Sequence, residues 1–246
     1  MKTTADADEL LRRYWGHECL RPAQRKAIEA VLAARDTLAI LPTGGGKSVC
    51  YQIPALLLDG VTLVVSPLIA LMEDQVKALS RKGIPAACIN SSLPASEIAL
   101  RLDQAANGVL KLLYLTPERI TTESFARMAR YLPVSLLAVD EAHCISSWSY
   151  NFRADYLRIN RVLRAIREAN ASCTLLALTA TGGSRIRDDI GEQLTLPPAA
   201  LVDCGWRRSE VKRCAVWGSQ PPLCQRWALA ADSNADCCWR TCSRRS

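Results

Sequence analysis

The chain has 246 residues, is 49% hydrophobic and 22% charged, and carries a formal net charge of +7. That apolar fraction excludes a globally disordered chain, and the longest mostly apolar stretches, such as Gly60–Met72, fall well short of the roughly 18–20 residues of a membrane span. The polar, acidic start, Met1–Glu9, has no apolar run behind it and does not read as a signal peptide, so a cytoplasmic location is expected, nucleoid-associated in a bacterium and nuclear in a eukaryote, with no membrane partner.

In chain order, helical spacing of apolar residues predicts helices over Ala23–Ala34, Ser48–Leu58, Leu68–Arg81, Ala95–Ala106, Asp155–Glu168 and Arg185–Gln193. Between them lie short runs dense in Leu, Val, Ile and Ala: Thr37–Leu41, Val61–Ser66, Ala86–Ile89, Val109–Thr116, Leu136–Asp140 and Thr174–Thr179. Continuous apolar runs of this length are what strands buried on both faces require. Thr116-Pro117 reads as a cap followed by Pro at the first helical position, and Ser92-Leu93-Pro94 reads similarly. Alternating strands and helices with right-handed crossovers give an α/β fold, a doubly wound and mostly parallel sheet flanked by helices. In such a sheet, ligands bind beyond the carboxyl ends of the strands.

The first strand runs into Pro42-Thr43-Gly44-Gly45-Gly46-Lys47-Ser48 and then a helix. Glycines allow a tight turn whose N–H groups face phosphate oxygens, and the helix N-terminus adds partial positive charge. Lys47 can reach the β- and γ-phosphates, and the Ser48 hydroxyl can ligate Mg²⁺. The usual first glycine of this pattern is Leu41 here. The fifth strand delivers Asp140-Glu141-Ala142-His143 to its carboxyl end. Two adjacent carboxylates after an apolar strand fit a Mg²⁺ site at Asp140 and a water-orienting base at Glu141. No His/Cys grouping in the body has zinc spacing.

Three longer stretches carry a resemblance: Leu41–Pro54, Val65–Gln75 and Asp140–Trp148. All three resemble the RecQ family of DNA helicases. The likeness covers about residues 10–200 and implies the first RecA-like lobe of an ATP-dependent motor, residues 1–203. It implies ATP and Mg²⁺ as cofactors, single-stranded and branched DNA as partners alongside other repair proteins, and 3′–5′ unwinding in repair and recombination. Lys47, Asp140, Glu141 and His143 form the implied catalytic set, with Mg²⁺ on Ser48 and Asp140. His17, Arg21 and Gln24, together with the loop Thr43, Gly44, Gly45, Gly46, Lys47 and Ser48, form the implied ATP site. Gln24 can pair with an adenine edge and Arg21 can stack on the base; His17 stands where the family has an aromatic residue. Ser66 and Pro67, Thr116 and Arg119, and Trp148, Phe152 and Arg153 are the implied DNA contacts, the last three within a stacking loop. Thr179 and Thr181 are the implied link from hydrolysis to lobe movement. Read without the resemblance, Gln24 is a surface helix residue, Ser66 and Thr116 are helix caps, and Trp148 is a packing aromatic.

Residues 204–246 differ in character from the body. They hold 6 of the 11 Cys, 4 of the 6 Trp, and 8 basic against 3 acidic residues. The segment reads as an irregular tail: a truncated or out-of-frame terminus, a divergent basic arm that binds DNA electrostatically, or a Cys-rich metal site. On the first reading the chain is a fragment lacking the second motor lobe, with arginine fingers worth on the order of 10³–10⁵ in rate. A non-catalytic nucleotide- or DNA-binding module and a defective product are the alternatives to an active enzyme.

Overall fold

The computed structural model describes residues 3–180, 183–197 and 200–203. Seven parallel strands form one sheet: β1 (Thr37–Ile40), β2 (Val61–Val65), β3 (Ala86–Ile89), β4 (Leu112–Leu115), β5 (Val134–Val139), β6 (Thr174–Thr179) and β7 (Leu201–Asp203). Their spatial order is β3-β4-β2-β5-β6-β1-β7. Every residue of β2, β4 and β6 is buried, which is why these strands read as unbroken apolar runs rather than as alternation.

Helices cover both faces. On one face α2 (Pro22–Leu32), α3 (Val49–Leu57) and α4 (Ile69–Arg81) bury Ala27, Val31, Tyr51, Met72 and Leu79 against Leu112, Leu136, Leu176 and their neighbours. The other face takes α5 (Ala95–Ala106), α6 (Pro117–Ile120), α7 (Glu123–Ala129), α8 (Ile159–Ala169) and α9 (Ser184–Gln193), through Leu102, Ile120, Phe125, Ile159, Ile166 and Ile190. A first helix, α1 (Thr4–Trp15), packs Ala7 and Leu11 on Ile28, Val49 and Ile53 as an outer layer.

The doubly wound parallel sheet is the expected architecture, with several corrections of detail. The polar start folds as α1, opened by a capping box in which Thr3 and Asp6 bond reciprocally. Its apolar residues Ala7, Leu10, Leu11, Tyr14 and Trp15 do recur at helical spacing, so the reading of this segment as only a polar, acidic start overlooked a helix. Thr122 caps α7, which the sequence reading left unassigned. The expected helix from Asp155 begins as a 3-10 turn, Ala154–Arg158, before α8 starts at Ile159. β4 starts three residues later than expected because Val109 is 55% exposed beyond the left-handed Gly108. Two expected caps differ. Pro94 takes the cap position of α5 itself, while the Ser92 hydroxyl bonds Asn90 Oδ1 at 2.6 Å. Thr116 sits at the cap position of α6 with Pro117 first in the helix, yet its hydroxyl makes no capping bond.

Thr181 and the expected tail at 204–246 lie outside the described residues. Among the described residues, no helix is long and apolar enough to cross a membrane.

Candidate functional site

β1, β5 and β6 lie side by side. Their carboxyl ends therefore bring the glycine loop, the acidic pair and Thr179 to one edge. Leu41 N–H donates to Thr179 O at 3.0 Å, fixing where the loop leaves the sheet. The loop then turns tightly: Gly45 N–H donates to Pro42 O at 2.8 Å, and a Cβ on Gly45 would lie 2.6 Å from that oxygen. Gly46 is left-handed at φ 73° and lies against the Gln24 amide, so a side chain there meets both a backbone and a steric penalty.

Arg21 and Gln24 brace this loop from the start of α2. Arg21 Nη1 donates to Gly44 O at 2.8 Å, and Gln24 Nε2 donates to Gly45 O at 3.0 Å and Gly46 O at 3.2 Å. Gln24 Oε1 accepts from Arg21 N–H at 3.0 Å. Both ends of the buried Gln24 amide are thus bonded within the chain, so pairing with a base requires these bonds to be exchanged. Gln24 is no surface helix residue. His17 is exposed in the connection between α1 and α2, and Thr43 is exposed in the loop.

Lys47 Nζ lies 3.3 Å from Glu141 Oε1, while Glu141 Oε2 lies 3.2 Å from His143 Nδ1. The same Nδ1 is 3.2 Å from Thr179 Oγ1, and His143 Nε2 is 3.3 Å from Asn151 Nδ2. One run of contacts therefore joins the phosphate loop, the acidic motif, the end of β6 and the loop beyond. Glu141 adopts a left-handed backbone, φ 49° and ψ 45°. A non-glycine residue there costs on the order of 1–3 kcal/mol unless its surroundings hold it.

The charges of the motif pull in opposite directions. Burial, then the neighbouring Glu141 charge, push the Asp140 carboxyl up to about 6. The hydrogen bond from His143, with Lys47 close by, holds the Glu141 carboxyl below its ordinary value. Hydrogen bonds to Cys144 and then Glu141 push His143 up to about 9. Asp140 is 7% exposed, and its Oδ1 accepts Glu141 N–H at 2.9 Å. A buried carboxylate whose charge burial disfavours suits a bound cation, and a hydroxyl with a carboxylate is a hard oxygen set of the kind Mg²⁺ takes. The Ser48 hydroxyl makes no capping bond at the start of α3. Among the described residues, no group of three or more His, Cys, Asp and Glu could hold a metal by itself. Mg²⁺ on Ser48 and Asp140 would accordingly need phosphate oxygens and water to complete its shell.

β2 and β4 are also neighbours, and each ends in a buried hydroxyl. Ser66 N–H donates to Leu115 O at 3.1 Å and Thr116 N–H to Ile89 O at 3.3 Å, so both residues continue the ladder. Ser66 Oγ, Thr116 Oγ1 and Arg119 Nε are all buried without a hydrogen-bond partner among the described residues. An unsatisfied buried polar atom costs about 1–3 kcal/mol. Neither hydroxyl serves as a helix cap, so that plainer reading does not hold. Pro67 is half-buried in the connection from β2 to α4.

Residues 146–153 project as a loop from the end of the acidic motif. Trp148 is 63% exposed, Tyr150 fully exposed and Phe152 41% exposed. Trp148 is therefore not a core packing residue. Arg153 is exposed, and its N–H donates to Cys144 O at 2.9 Å, closing the base of the loop. The buried Tyr156 hydroxyl donates to Asp140 O at 3.2 Å and ties the following turn to the strand end. The sequence reading gave no role to Asn151, Tyr156, Arg185 or Asp189. Their roles arise from contacts across the fold, and no local pattern announces them.

The family model of the DEAD/DEAH box helicases matches residues 21–189. Among individual proteins, the chain is 46% identical over 213 residues to the ATP-dependent DNA helicase RecQ of Bacillus subtilis, covering 86% of this chain and 36% of that one. It is 45% identical over 191 residues to the RecQ of Synechocystis, covering 77% of this chain and 40% of that one. The chain thus spans between a third and two fifths of the length of these relatives. In three dimensions it resembles the DUF1998 helicase MrfA crystallised bound to DNA (TM-score 0.62, 20% identity, 82% of this chain and 30% of that one). The helicase domain of Pyrococcus furiosus Hef is also similar (TM-score 0.56, 19% identity, 74% of this chain and 37% of that one).

Proposed function

Because the chain belongs to the DEAD/DEAH box helicases, we propose that it is the nucleotide-binding lobe of a RecQ-type, ATP-dependent DNA helicase. Its substrates on this reading are ATP and single-stranded or branched DNA, and the complete motor unwinds duplexes 3′ to 5′ in repair and recombination. The observation that carries the reading is the division of one sheet edge. β1 and β5 end in a Lys47–Glu141 pair beside a glycine loop, and β2 and β4 end in buried hydroxyls without hydrogen-bond partners among the described residues.

Lys47 is the group that meets a triphosphate. It cannot hold Glu141 and a γ-phosphate with equal strength, so binding of nucleotide draws it off Glu141 Oε1. Glu141, kept ionised by His143, then has an oxygen available to orient water and accept its proton. Ser48 and Asp140 would hold Mg²⁺, which neutralises charge developing between the β- and γ-phosphates. His143 spans Glu141, Thr179 and Asn151, so a change at the phosphate is felt both at the end of β6 and in the aromatic loop. On the other half of the edge, Ser66, Thr116 and Arg119 offer donors to backbone phosphates without reading sequence. Trp148 and Phe152 offer rings on which bases stack.

ATP hydrolysis by the purified chain, with and without oligo-dT, in wild type and in Lys47→Ala, tests the reading. Nucleotide binding and DNA-dependent turnover that are both lost in Lys47→Ala support it. Binding of both ligands without turnover in wild type assigns the chain to a non-catalytic module instead, and absence of nucleotide binding in wild type overturns the reading.

A further inference from the structure

The aromatic loop hangs from α9 by two contacts. Ser146 is fully buried; its hydroxyl donates to Asp189 Oδ2 at 2.7 Å and accepts Trp148 N–H at 3.2 Å. Arg185 sets its guanidinium 4.9 Å from the centre of the Trp148 ring. Arg185 and Asp189 are four residues apart on one helix and therefore share a face. That face grips the loop at its root, through Ser146, and at its first aromatic ring.

The same helix starts five residues after Thr179, whose hydroxyl touches His143. The loop returns to His143 through Asn151. Loop, α9 and nucleotide site are thus joined at both ends of the loop.

An exposed ring on a loop stacks well only if its orientation is set before the base arrives; otherwise binding must supply the ordering. Arg185 covers one face of Trp148 by a cation–π contact, which leaves the other for a base. We propose that Asp189 and Arg185 are positioning residues: they hold the 146–153 loop so that the free face of Trp148 accepts a base of single-stranded DNA. This rests on the reading above that the loop binds DNA. Asp189 gives the proposal a distinctive sign. A carboxylate near a nucleic-acid path repels phosphate, so its removal tightens binding if charge alone matters. As a positioning residue its removal weakens binding.

The experiment measures hydrogen exchange across residues 146–153 and anisotropy of labelled oligo-dT, using the full chain and the variants Asp189→Ala, Asp189→Asn and Arg185→Ala. Asp189→Ala is expected to speed exchange at the Trp148 amide and weaken oligo-dT binding about three- to tenfold, the loss of one charge-assisted hydrogen bond. Its ATP affinity and the salt dependence of its DNA binding stay as in wild type. Asp189→Asn keeps an acceptor for Ser146 and restores binding to within about twofold of wild type. Arg185→Ala, an exposed change that leaves the core intact, weakens binding with the salt slope unchanged. A slope lower by about one makes Arg185 a phosphate contact and overturns its role on the ring. Unchanged loop exchange in Asp189→Ala, or oligo-dT binding as tight as wild type or tighter, overturns the proposal while the DNA reading stands. Failure of the wild-type chain to bind oligo-dT removes the DNA reading and the proposal with it.

Discussion

The two halves of the sheet edge treat their polar groups in opposite ways. At the nucleotide end nearly every functional side chain is bonded to another: Arg21 and Gln24 to the glycine loop, Lys47 to Glu141, Glu141 to His143. At the β2–β4 end, Ser66, Thr116 and Arg119 carry buried polar atoms with no hydrogen-bond partner among the described residues. The first half is a self-satisfied network in which a ligand has to exchange existing bonds. The second leaves its buried donors uncommitted. Such a division suits a nucleotide that switches contacts in each cycle beside a polymer backbone that simply occupies waiting donors.

The strongest way to break the comparison is at the network. Glu141→Gln keeps the shape of the side chain but removes its charge, and is expected to bind ATP while losing turnover by about 10²–10⁴-fold, the usual worth of a positioned general base. Normal hydrolysis by this variant in a steady-state assay ends the assignment. Next comes Trp148→Ala, which removes an exposed stacking ring. Oligo-dT binding is expected to weaken by about 1–3 kcal/mol with little change in melting temperature; a lower melting temperature with unchanged binding marks the ring as structural. Gln24→Ala is expected to lower stability by about 1–2 kcal/mol by leaving loop carbonyls and the Arg21 N–H without their partner. Denaturant titration measures that loss, and ATP titration of the same variant shows whether a loosened loop binds nucleotide less well.

The strands were readable in the sequence for a physical reason: burial on both faces demands unbroken apolar runs, as in Val61–Val65 and Thr174–Thr179. Elements with little buried surface were not. α7 is seven residues long and β7 is a three-residue edge strand, whereas α1 does carry helical spacing at Ala7, Leu10, Leu11, Tyr14 and Trp15 behind a polar start that drew the reading away from it. The same division holds at the site. Lys47, Ser48, Asp140 and Glu141 stand in local motifs whose spacing carries their chemistry. The grip of Gln24 on the loop carbonyls joins residues 21 and 22 positions apart, and Ser146 meets Asp189 across 43. No local pattern encodes such contacts. Nor did the sequence show that the Thr116 hydroxyl leaves α6 uncapped, because Thr before Pro is a capping signature whether or not the bond forms.

The most direct measurement joins stability to DNA binding in Ser66→Ala and Thr116→Val. If the two hydroxyls await a DNA backbone, deleting them removes buried polar groups that have no partner among the described residues. Melting temperature then stays level or rises, by an amount worth about 1 kcal/mol, while oligo-dT affinity falls. A falling melting temperature with unchanged oligo-dT affinity contradicts the account and makes both hydroxyls part of the scaffold.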